Sequence, residues 1–369
     1  MLSNLEYLES LSPWPKDGFG LDRIRDLLVE LGDPQLRYPS IHVVGTNGKS
    51  TVTRTIEALL AKEGPVTGAY LSPHVRGWSE RIRINNRETD FEAAIDRVRD
   101  AAERLRATQF ELVTAAALTA FAEAGVDVAV VEAGLGGRYD ATNVLRSPVQ
   151  VLTNVSLEHT DVLGTTRQAI AGEKLAVVQS GATVVLGEPE WEDLARANGA
   201  AQVVVAGRSN LALALAAAEA WLGRPVDGHV QVSLPGRLEQ VNDDPLEIWD
   251  GAHNLGAVGY LLPRLPRGRY VLVASILADK DVDGMLAALS AVGDTLVTTS
   301  SSSIRALSSA DLAERAAPYF EEIIPIEAPV EALAYARSLE KPILATGSLY
   351  LLADLAKDES VRWRTLATN

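Results

Sequence analysis

The chain has 369 residues, which is enough for two or three domains with sizeable cores. A hydrophobic content of 47% and a charged content of 22% are ordinary for a globular protein, and the net charge of −15 argues against a nucleic-acid-binding surface. The absence of cysteine excludes disulfides, thiolate metal sites and a cysteine nucleophile, and it fits a cytoplasmic protein.

The first elements are predicted to be helical. An apolar stripe at helical spacing is formed by Leu21, Ile24, Leu27, Leu28 and Leu31. The amphipathic, acidic start of the chain lacks the pattern of a signal peptide, and the sequence contains no apolar run of transmembrane length. We therefore expect no membrane partner.

The stretch Ser40–Thr55 predicts a strand, a turn with two glycines and a helix. Backbone N–H groups at such a turn can close on a phosphate, while Lys49 adds a positive charge and Ser50 offers a hydroxyl to Mg²⁺. A Gly-Lys-Ser sequence by itself is often only a turn, but its place between a strand and a helix predicts an enzyme that uses a nucleoside triphosphate. The candidate nucleotide-binding residues here are Gly45, Thr46, Asn47, Gly48, Lys49, Ser50 and Thr51.

Strands and helices then alternate to about residue 222. The predicted strands are Val66–Tyr70, Glu80–Ile84, Asp127–Val131, Val149–Val155, 182–186 and 201–205. The predicted helices are Phe91–Leu105, Glu111–Ala124, Thr166–Gln179, 188–197 and 209–222. This rhythm predicts an α/β domain whose parallel sheet has helices on both faces.

A domain boundary is predicted between residues 224 and 236, where several helix breakers interrupt the periodicity. We accordingly divide the chain into domains 1–230 and 231–369. The second, smaller domain is expected to be Rossmann-like. Its predicted strands are 246–250, 270–275, 294–299, 322–326 and 342–346.

Polar side chains stand where predicted strands end, which is the edge at which open α/β sheets bind ligands. These residues are Ser50, Ser72, Glu132, His159 and Asp250. Hydroxyl and carboxylate oxygens with phosphate suit Mg²⁺, whereas a lone histidine is more often a structural, hydrogen-bonded residue. By residue type alone Lys174 is a surface lysine with its charge in solvent. The turn Gly134–Gly137 is too weak a fingerprint for NAD, and we reject that cofactor.

Several motifs together resemble the folylpolyglutamate synthase/dihydrofolate synthase family, the folate branch of the Mur ligase superfamily. In chain order they read IHVVGTNGKST, LSPHV, ERIRIN, QFELVTAAAL, VVEAGLGGRYDATNV, LTNVSLEHTDVLG, LPGRLE, DGAHN, LADKD and ATGSLY. The resemblance runs from about residue 5 to 355. It implies a P-loop ATPase domain of the Mur ligase type followed by a smaller Rossmann-like domain.

The resemblance also implies the reaction and its cofactors. Family members use ATP to phosphorylate a folate or dihydropteroate carboxylate, and the amine of L-glutamate then attacks the acyl phosphate. Two Mg²⁺ ions are expected, and the implied ligands are Ser50, Ser72, Glu132, His159 and Lys174. Lys174 matches the family lysine that becomes carbamylated and so turns from a cation into a ligand for the second ion.

Further roles follow from the same resemblance. Lys49, Lys174, Asp250 and His253 are the implied catalytic residues, and Arg237 and Asp250 are implied to reach the nucleotide. Implied substrate contacts are Phe110, Arg81, Asp140, Ala141 and His253. We expect a cytoplasmic monomer that binds neither nucleic acid nor membranes.

The sequence departs from the family pattern at some positions. Glu158 replaces an aspartate, Arg208-Ser209 replaces a His-Gln pair, and only 33 positions separate Lys174 from Gly207, where a longer insert is usual. Two alternatives therefore stay open. One is a Mur-type ligase that adds an amino acid to another carboxylate, and the other is a relative that binds nucleotide or folate without catalysis.

Overall fold

The computed structural model describes residues 2–15 and 18–357, which separate into two compact units. The first unit runs to Pro73 and resumes at Trp78–Val232. The second unit begins at Ser233 and also includes the short segment His74–Gly77. None of the helices in the described ranges is long and apolar enough to cross a membrane.

The first unit alternates strands and helices. Its helices are α1 (Asn4–Ser10), α2 (Asp22–Glu30), α3 (Lys49–Lys62), α4 (Phe91–Arg104), α5 (Gln109–Ala124), α6 (Thr160–Leu163), α7 (Arg167–Leu175), α8 (Glu192–Ala197) and α9 (Asn210–Leu222). Its strands are β1 (Ser40–Val44), β2 (Thr67–Tyr70), β3 (Ile82–Ile84), β4 (Arg87–Glu88), β5 (Val128–Glu132), β6 (Val149–Leu152), β7 (Thr183–Leu186) and β8 (Gln202–Val205).

In the described part of the first unit these strands form one sheet in the order β4-β3-β2-β5-β1-β6-β7-β8. The predicted parallel sheet is confirmed from β2 to β8, and β3 and β4 add an antiparallel edge. Between β2 and β3 the chain forms only the short 3-10 helix Trp78–Arg81, which is too short for a parallel crossover, so β3 returns antiparallel. Asn85 and Asn86, both at positive φ, then close the hairpin to β4, as a two-residue turn requires.

The central strand β1 is buried along its whole length, because helices cover both faces of the sheet. Ile41 and Val43 pack with Val52 and Ile56 of α3 and with Leu213 of α9. Burying such side chains stabilises the fold by roughly 1.5 to 3 kcal/mol each. The strand therefore sets the phosphate loop rigidly at its carboxyl end.

Two predicted elements are longer than the observed ones. The strand predicted over Val149–Val155 ends at Leu152, because Thr153 turns its hydroxyl to the carbonyl of Asn47. The helix predicted over Thr166–Gln179 spans Arg167–Leu175. The β-branched pair that follows it, residues 177 and 178, disfavours further helix.

The second unit, described to residue 357, contains a six-stranded sheet in the order β13-β12-β11-β14-β10-β9. Its strands are β9 (Glu239–Asp243), β10 (Leu246–Trp249), β11 (Val271–Ala274), β12 (Thr295–Thr298), β13 (Glu322–Pro325) and β14 (Ile343–Thr346). Its helices are α10 (Leu255–Leu261), α11 (Val282–Leu289), α12 (Ser309–Ala316), α13 (Pro329–Ser338) and α14 (Leu349–Ala356). The five predicted strands are confirmed, and the antiparallel edge strand β9 is an addition.

Candidate active site

Two glycines allow the loop after β1 to take its shape. Gly45 has φ 145°, and a Cβ there would lie 1.9 Å from Thr153 Oγ1. Gly48, directly before α3, has φ 82°, and a Cβ there would lie 2.6 Å from Asn210 Oδ1. A side chain at either position would be strained and would also collide with a neighbouring element.

The loop is tied to the residues that follow β6. The backbone N–H of Thr46 donates to the Asn154 carbonyl at 2.9 Å, and that of Asn47 donates to Asn154 Oδ1 at 3.1 Å. The Thr153 hydroxyl donates to the Asn47 carbonyl at 2.7 Å. The first turn of α3 lies just beyond, and helix N-termini carry N–H groups without intrahelical partners. These groups form a ready-made anion site.

Two lysine ammonium groups converge on one carbonyl of this loop. Lys49 Nζ lies 3.1 Å from the Gly45 oxygen and 3.2 Å from the Thr46 oxygen. Lys174 Nζ, far away in the sequence, lies 2.9 Å from the same Gly45 oxygen. In a protein with a net charge of −15 this is a local concentration of positive charge, as an anionic ligand requires.

Lys174 is buried, with 1% of its surface exposed, so the interpretation as a solvated surface lysine is wrong. Its ammonium also donates to Glu158 Oε1 at 2.7 Å. Burial lowers the pKa of Lys174 and neighbouring Lys49 lowers it further, whereas Glu158 opposes both. Burial alone would raise the pKa of Glu158, but Lys174 and Lys49 bring it down to about 2.

A cluster of oxygen atoms lies beside the loop, at the carboxyl end of β5. The Ser50 hydroxyl donates to Glu132 Oε1 at 3.0 Å, and the backbone N–H of Ser72 donates to Glu132 Oε2 at 3.1 Å. Three of the predicted metal ligands therefore meet at one carboxylate. His159 lies at the start of α6 with φ 46°, and its charged form would lower the pKa of Glu158. Among the described residues, no group of three or more histidine or acidic side chains is arranged around a common metal position.

A cavity of about 280 Å³ adjoins the first unit's glycine turn 134–137. Three of the predicted substrate contacts, Phe110, Asp140 and Ala141, line it. Trp14 and Phe19 also line it, and each is nearly half exposed. The cavity is therefore walled by aromatic rings and by three carboxylates, those of Glu111, Asp140 and Glu173.

Arg81 is placed elsewhere in the same unit. Its guanidinium lies 4.4 Å from the centre of the Trp78 ring, and the residue is buried. It does not line the cavity of Phe110. A larger cavity, about 410 Å³, lies at the opposite edge of the sheet near Arg37 and Arg146, and none of the predicted site residues lines it.

The predicted residues of the second unit gather around one turn after β10. Asp250 accepts hydrogen bonds from the N–H groups of Leu238 and Ala252 at 2.8 and 2.9 Å, and burial raises its pKa. His253 Nδ1 lies 2.9 Å from the Gly251 oxygen. Arg237 donates to the Gly236 carbonyl at 3.0 Å.

Sequence reasoning missed several residues of this site. The sequence indicates Glu158 only as a replacement for aspartate, whereas the structure shows it as the ion-pair partner of Lys174. The predicted strand Val149–Val155 includes Thr153 and Asn154, whereas both residues follow β6 and anchor the loop. Their position next to a strand end was the available signal, because polar residues there face the ligand edge of the sheet.

Two family models match the chain. The Mur ligase middle domain covers residues 43–222, and the glutamate ligase domain of Mur ligases covers residues 236–349. A dihydrofolate synthase/folylpolyglutamate synthase of Mycobacterium tuberculosis is 35% identical, over 80% of this chain and 77% of that protein. The enzyme of the same name from Escherichia coli is also 35% identical, over 80% of both chains.

Solved structures agree with this match. M. tuberculosis folylpolyglutamate synthase complexed with ADP superimposes with a TM-score of 0.85 at 32% identity, covering 95% of this chain and 97% of that one. E. coli FolC in complex with DHPP and ADP gives 0.81 at 30% identity, with 95% of each chain covered. A bifunctional folylpolyglutamate synthase/dihydrofolate synthase with Mn, AMPPNP and L-glutamate bound gives 0.83 at 31%, again with 95% of each covered.

Proposed function

The chain belongs to the dihydrofolate synthase/folylpolyglutamate synthase family of Mur ligases, and on that premise we propose how its residues carry out the reaction. The enzyme is an ATP-dependent ligase that joins L-glutamate to a pterin or folate carboxylate and forms ADP and phosphate. It uses a divalent metal ion with the nucleotide. The observation that best supports our assignment of the site is that Lys49, bonded to the loop carbonyls, is followed directly by Ser50, whose hydroxyl donates to Glu132.

We propose that the loop Gly45–Thr51 holds the triphosphate. The N–H groups of the first turn of α3 would bind the phosphate oxygens, and Lys49 would leave the loop carbonyls to neutralise the β- and γ-phosphates. Stabilising the charge that spreads over the transferred phosphoryl group is the main catalytic task in this chemistry. The acceptor carboxylate would thereby become an acyl phosphate that the glutamate amine attacks.

The oxygen donors around Glu132 fit a magnesium ion. Hydroxyl oxygens, one carboxylate, water and phosphate are the ligands that Mg²⁺ prefers. We propose that Ser50, Ser72, Glu132 and His159 hold the first ion, and that carbamylated Lys174 helps to hold a second. When bound, the ions neutralise phosphate charge and keep the attacking and leaving oxygens in line.

Replacing Glu132 with glutamine should raise the Mg²⁺ concentration needed for half-maximal activity by about tenfold or more, because a neutral amide binds Mg²⁺ weakly. The same shift is expected for His159→Ala. The KM for glutamate should change much less in both variants. Initial rates measured over a Mg²⁺ series at saturating substrates test this.

The matched control is Asp161→Asn, which removes an exposed carboxylate two residues after His159. It should leave the Mg²⁺ dependence unchanged. A Glu132→Gln enzyme with the normal Mg²⁺ dependence, or crystals with Mg²⁺ and an ATP analogue whose metal lies far from both Glu132 and His159, would contradict the assignment.

We propose that the aromatic cavity takes the pterin end of the acceptor. A flat heteroaromatic ring can stack on side chains such as Phe110 and Phe19, while Asp140 lies close enough to set its orientation. Ala141 leaves room beside it. Arg81 does not line this cavity, and we propose it as a substrate contact whose guanidinium could bind a carboxylate.

Roles in the second unit are also proposals. Asp250 and Arg237 would contact the nucleotide, and His253 would contact glutamate. We further propose that residues 1–230 and 231–369 act as two functional domains, and that the enzyme is a cytoplasmic monomer. Sedimentation velocity at catalytic concentrations tests the monomer.

An ATP-turnover screen tests the function directly. Purified protein is given Mg²⁺-ATP and L-glutamate with either dihydropteroate or tetrahydrofolate. ADP release should require both glutamate and one of the pteroate-type acceptors, and the product should carry one additional glutamate by mass spectrometry. ADP release that is independent of both, or that requires an unrelated carboxylate, would contradict the assignment.

A further inference from the structure

A buried hydrogen-bonded chain connects the strand of the phosphate loop with the substrate cavity. His42, in the middle of β1, is 1% exposed, and its Nε2 lies 2.8 Å from Thr142 Oγ1. Thr142 is fully buried, and its hydroxyl donates to Asp140 Oδ1 at 2.5 Å. Asp140 lines the aromatic cavity. The chain therefore ends at a residue that we assign to the acceptor site.

The donors and acceptors of this chain can be assigned from its partners. Burial raises the pKa of Asp140, whereas the hydrogen bonds from the N–H groups of Thr142, at 3.0 Å, and Leu135, at 2.7 Å, favour its ionised form, in which both oxygens act as acceptors. The Thr142 hydroxyl must then give its own hydrogen to Asp140. Its oxygen is left to accept from the Nε2–H of His42, which fixes the imidazole in the Nε2–H tautomer.

Asp140 shapes the wall of the cavity through the same bonds. Its bond to Leu135 closes the glycine turn, and residues 135–137 line the cavity. Neighbouring groups also pack closely against the glycines of this turn. A Cβ at Gly134 would lie 2.6 Å from the Phe110 ring, and one at Gly137 would lie 2.6 Å from the Lys174 carbonyl. Together with the bond from the N–H of Arg138 to the Glu173 carbonyl, the carboxylate therefore holds the turn against the aromatic wall.

We propose that His42 is a positioning residue for the acceptor: through Thr142 it fixes the Asp140 carboxylate and the glycine turn that form the wall of the substrate cavity. This rests on the proposed assignment of that cavity to the pterin end of the substrate. The imidazole touches neither substrate nor phosphate and acts through its neighbours. His42 lies on β1, the strand that leads into the phosphate loop. The wall of the acceptor cavity and the proposed nucleotide site are therefore both held by this one strand.

Packing alone does not account for a histidine at this position. The strand is buried on both faces, where valine or isoleucine would pack without desolvating a ring nitrogen. Burial lowers the pKa of His42 to about 3, so the ring is neutral and able to hold one tautomer at working pH. Its partner Thr142 would otherwise have a buried oxygen without a donor.

The test compares His42→Leu, which removes the donor at similar volume, with His42→Gln, which keeps an N–H near the same position. His42→Leu should raise the KM for dihydropteroate roughly 5- to 50-fold, as expected when a buried hydrogen-bonded group is misplaced. The KM for ATP should stay within about twofold, since the phosphate loop is untouched. His42→Gln should recover most of the loss.

Ser40→Ala is the matched control. Ser40 lies on the same face of β1, two residues earlier, and its buried hydroxyl has no hydrogen-bond partner in the structure. This variant should keep both KM values. If His42→Leu and His42→Gln both lose thermal stability and keep the normal KM for dihydropteroate, His42 is structural only and the proposal is wrong.

Two further measurements distinguish a wrong assignment of the cavity from a wrong assignment of the hydrogen-bonded chain. Asp140→Asn should raise the KM for dihydropteroate, and if it does not, the assignment of the cavity itself is wrong. The tautomer can also be measured without a substitution, from the ¹⁵N NMR spectrum of His42 in the wild-type protein. It should show the neutral Nε2–H form of His42 from pH 5 to pH 8, and the opposite tautomer would overturn the hydrogen-bonded chain.

Discussion

Replacing Lys49 with alanine should abolish ligation and leave the first unit folded. The side chain is the first residue of α3, is partly exposed and bonds to two loop carbonyls, so it contributes little to the core. Its charge is directed at the position where we place the triphosphate. Removing such a charge from a phosphoryl-transfer site is expected to lower kcat by about 10³-fold or more.

The fold of the variant is checked by its free energy of unfolding in urea, which should change by less than about 1 kcal/mol. Lys62→Ala is the matched control, because Lys62 is the last residue of the same helix and pairs with Asp227 instead. It should keep the wild-type kcat. A folded Lys49→Ala enzyme with normal glutamate-dependent ADP release would remove the phosphate loop from the mechanism.

The phosphate loop could be predicted because all of its information is local. A β-branched run, two glycines and a helical apolar period occur within sixteen residues, and each has a direct structural cause. The proximity of Glu132 and Ser72 is likewise predictable, because buried strands are visible as apolar runs and the residues after each run lie at the ligand edge. Strand ends therefore locate a site before any tertiary contact is known.

The ion pair of Lys174 with Glu158 could not be predicted in this way. It depends on how α7 packs beside the end of β6, and neither residue type nor spacing encodes that packing. The chain from His42 to Asp140 joins positions that are 98 residues apart in the numbering for the same reason. The sequence pattern does not predict the edge strand β9, because its mostly exposed, polar residues lack the apolar alternation of a half-buried strand.

The second large effect is expected at Lys174, which we propose is carbamylated in the active enzyme. A neutral amine adds to carbon dioxide, an N–C bond forms and one proton is released, so the side chain changes from a cation to an anion. Burial and the neighbouring Lys49 both lower the pKa of Lys174 and so favour the neutral amine that this reaction needs. Glu158 opposes them, because its negative charge favours the ammonium form.

The charge around the loop gives the reason for the modification. Two ammonium groups at the Gly45 carbonyl attract phosphate, but an ammonium at Lys174 would repel the second magnesium ion that we propose there. A carbamate would instead supply two oxygen ligands. Protein supplied with ¹³C-bicarbonate should therefore show one carbamate carbon by NMR, and Lys174→Ala should lack it.

Lys174→Ala should lose at least about 10²-fold in kcat, and acetate or formate should restore part of the activity by supplying the missing carboxylate. Removing Lys174 also leaves Glu158 buried without its partner, which alone can cost roughly 3 to 5 kcal/mol of stability. Rescue by acetate or formate distinguishes the loss of the carbamate from the loss of stability, because a small carboxylate cannot repair a misfolded protein. It would also add to the unpaired negative charge of Glu158. Lys174→Glu should keep a trace of activity, limited by its shorter reach. Near-normal turnover of Lys174→Ala, together with density for a bare lysine in bicarbonate-supplied crystals, would show that catalysis needs no carbamate at position 174, and the proposal would be wrong.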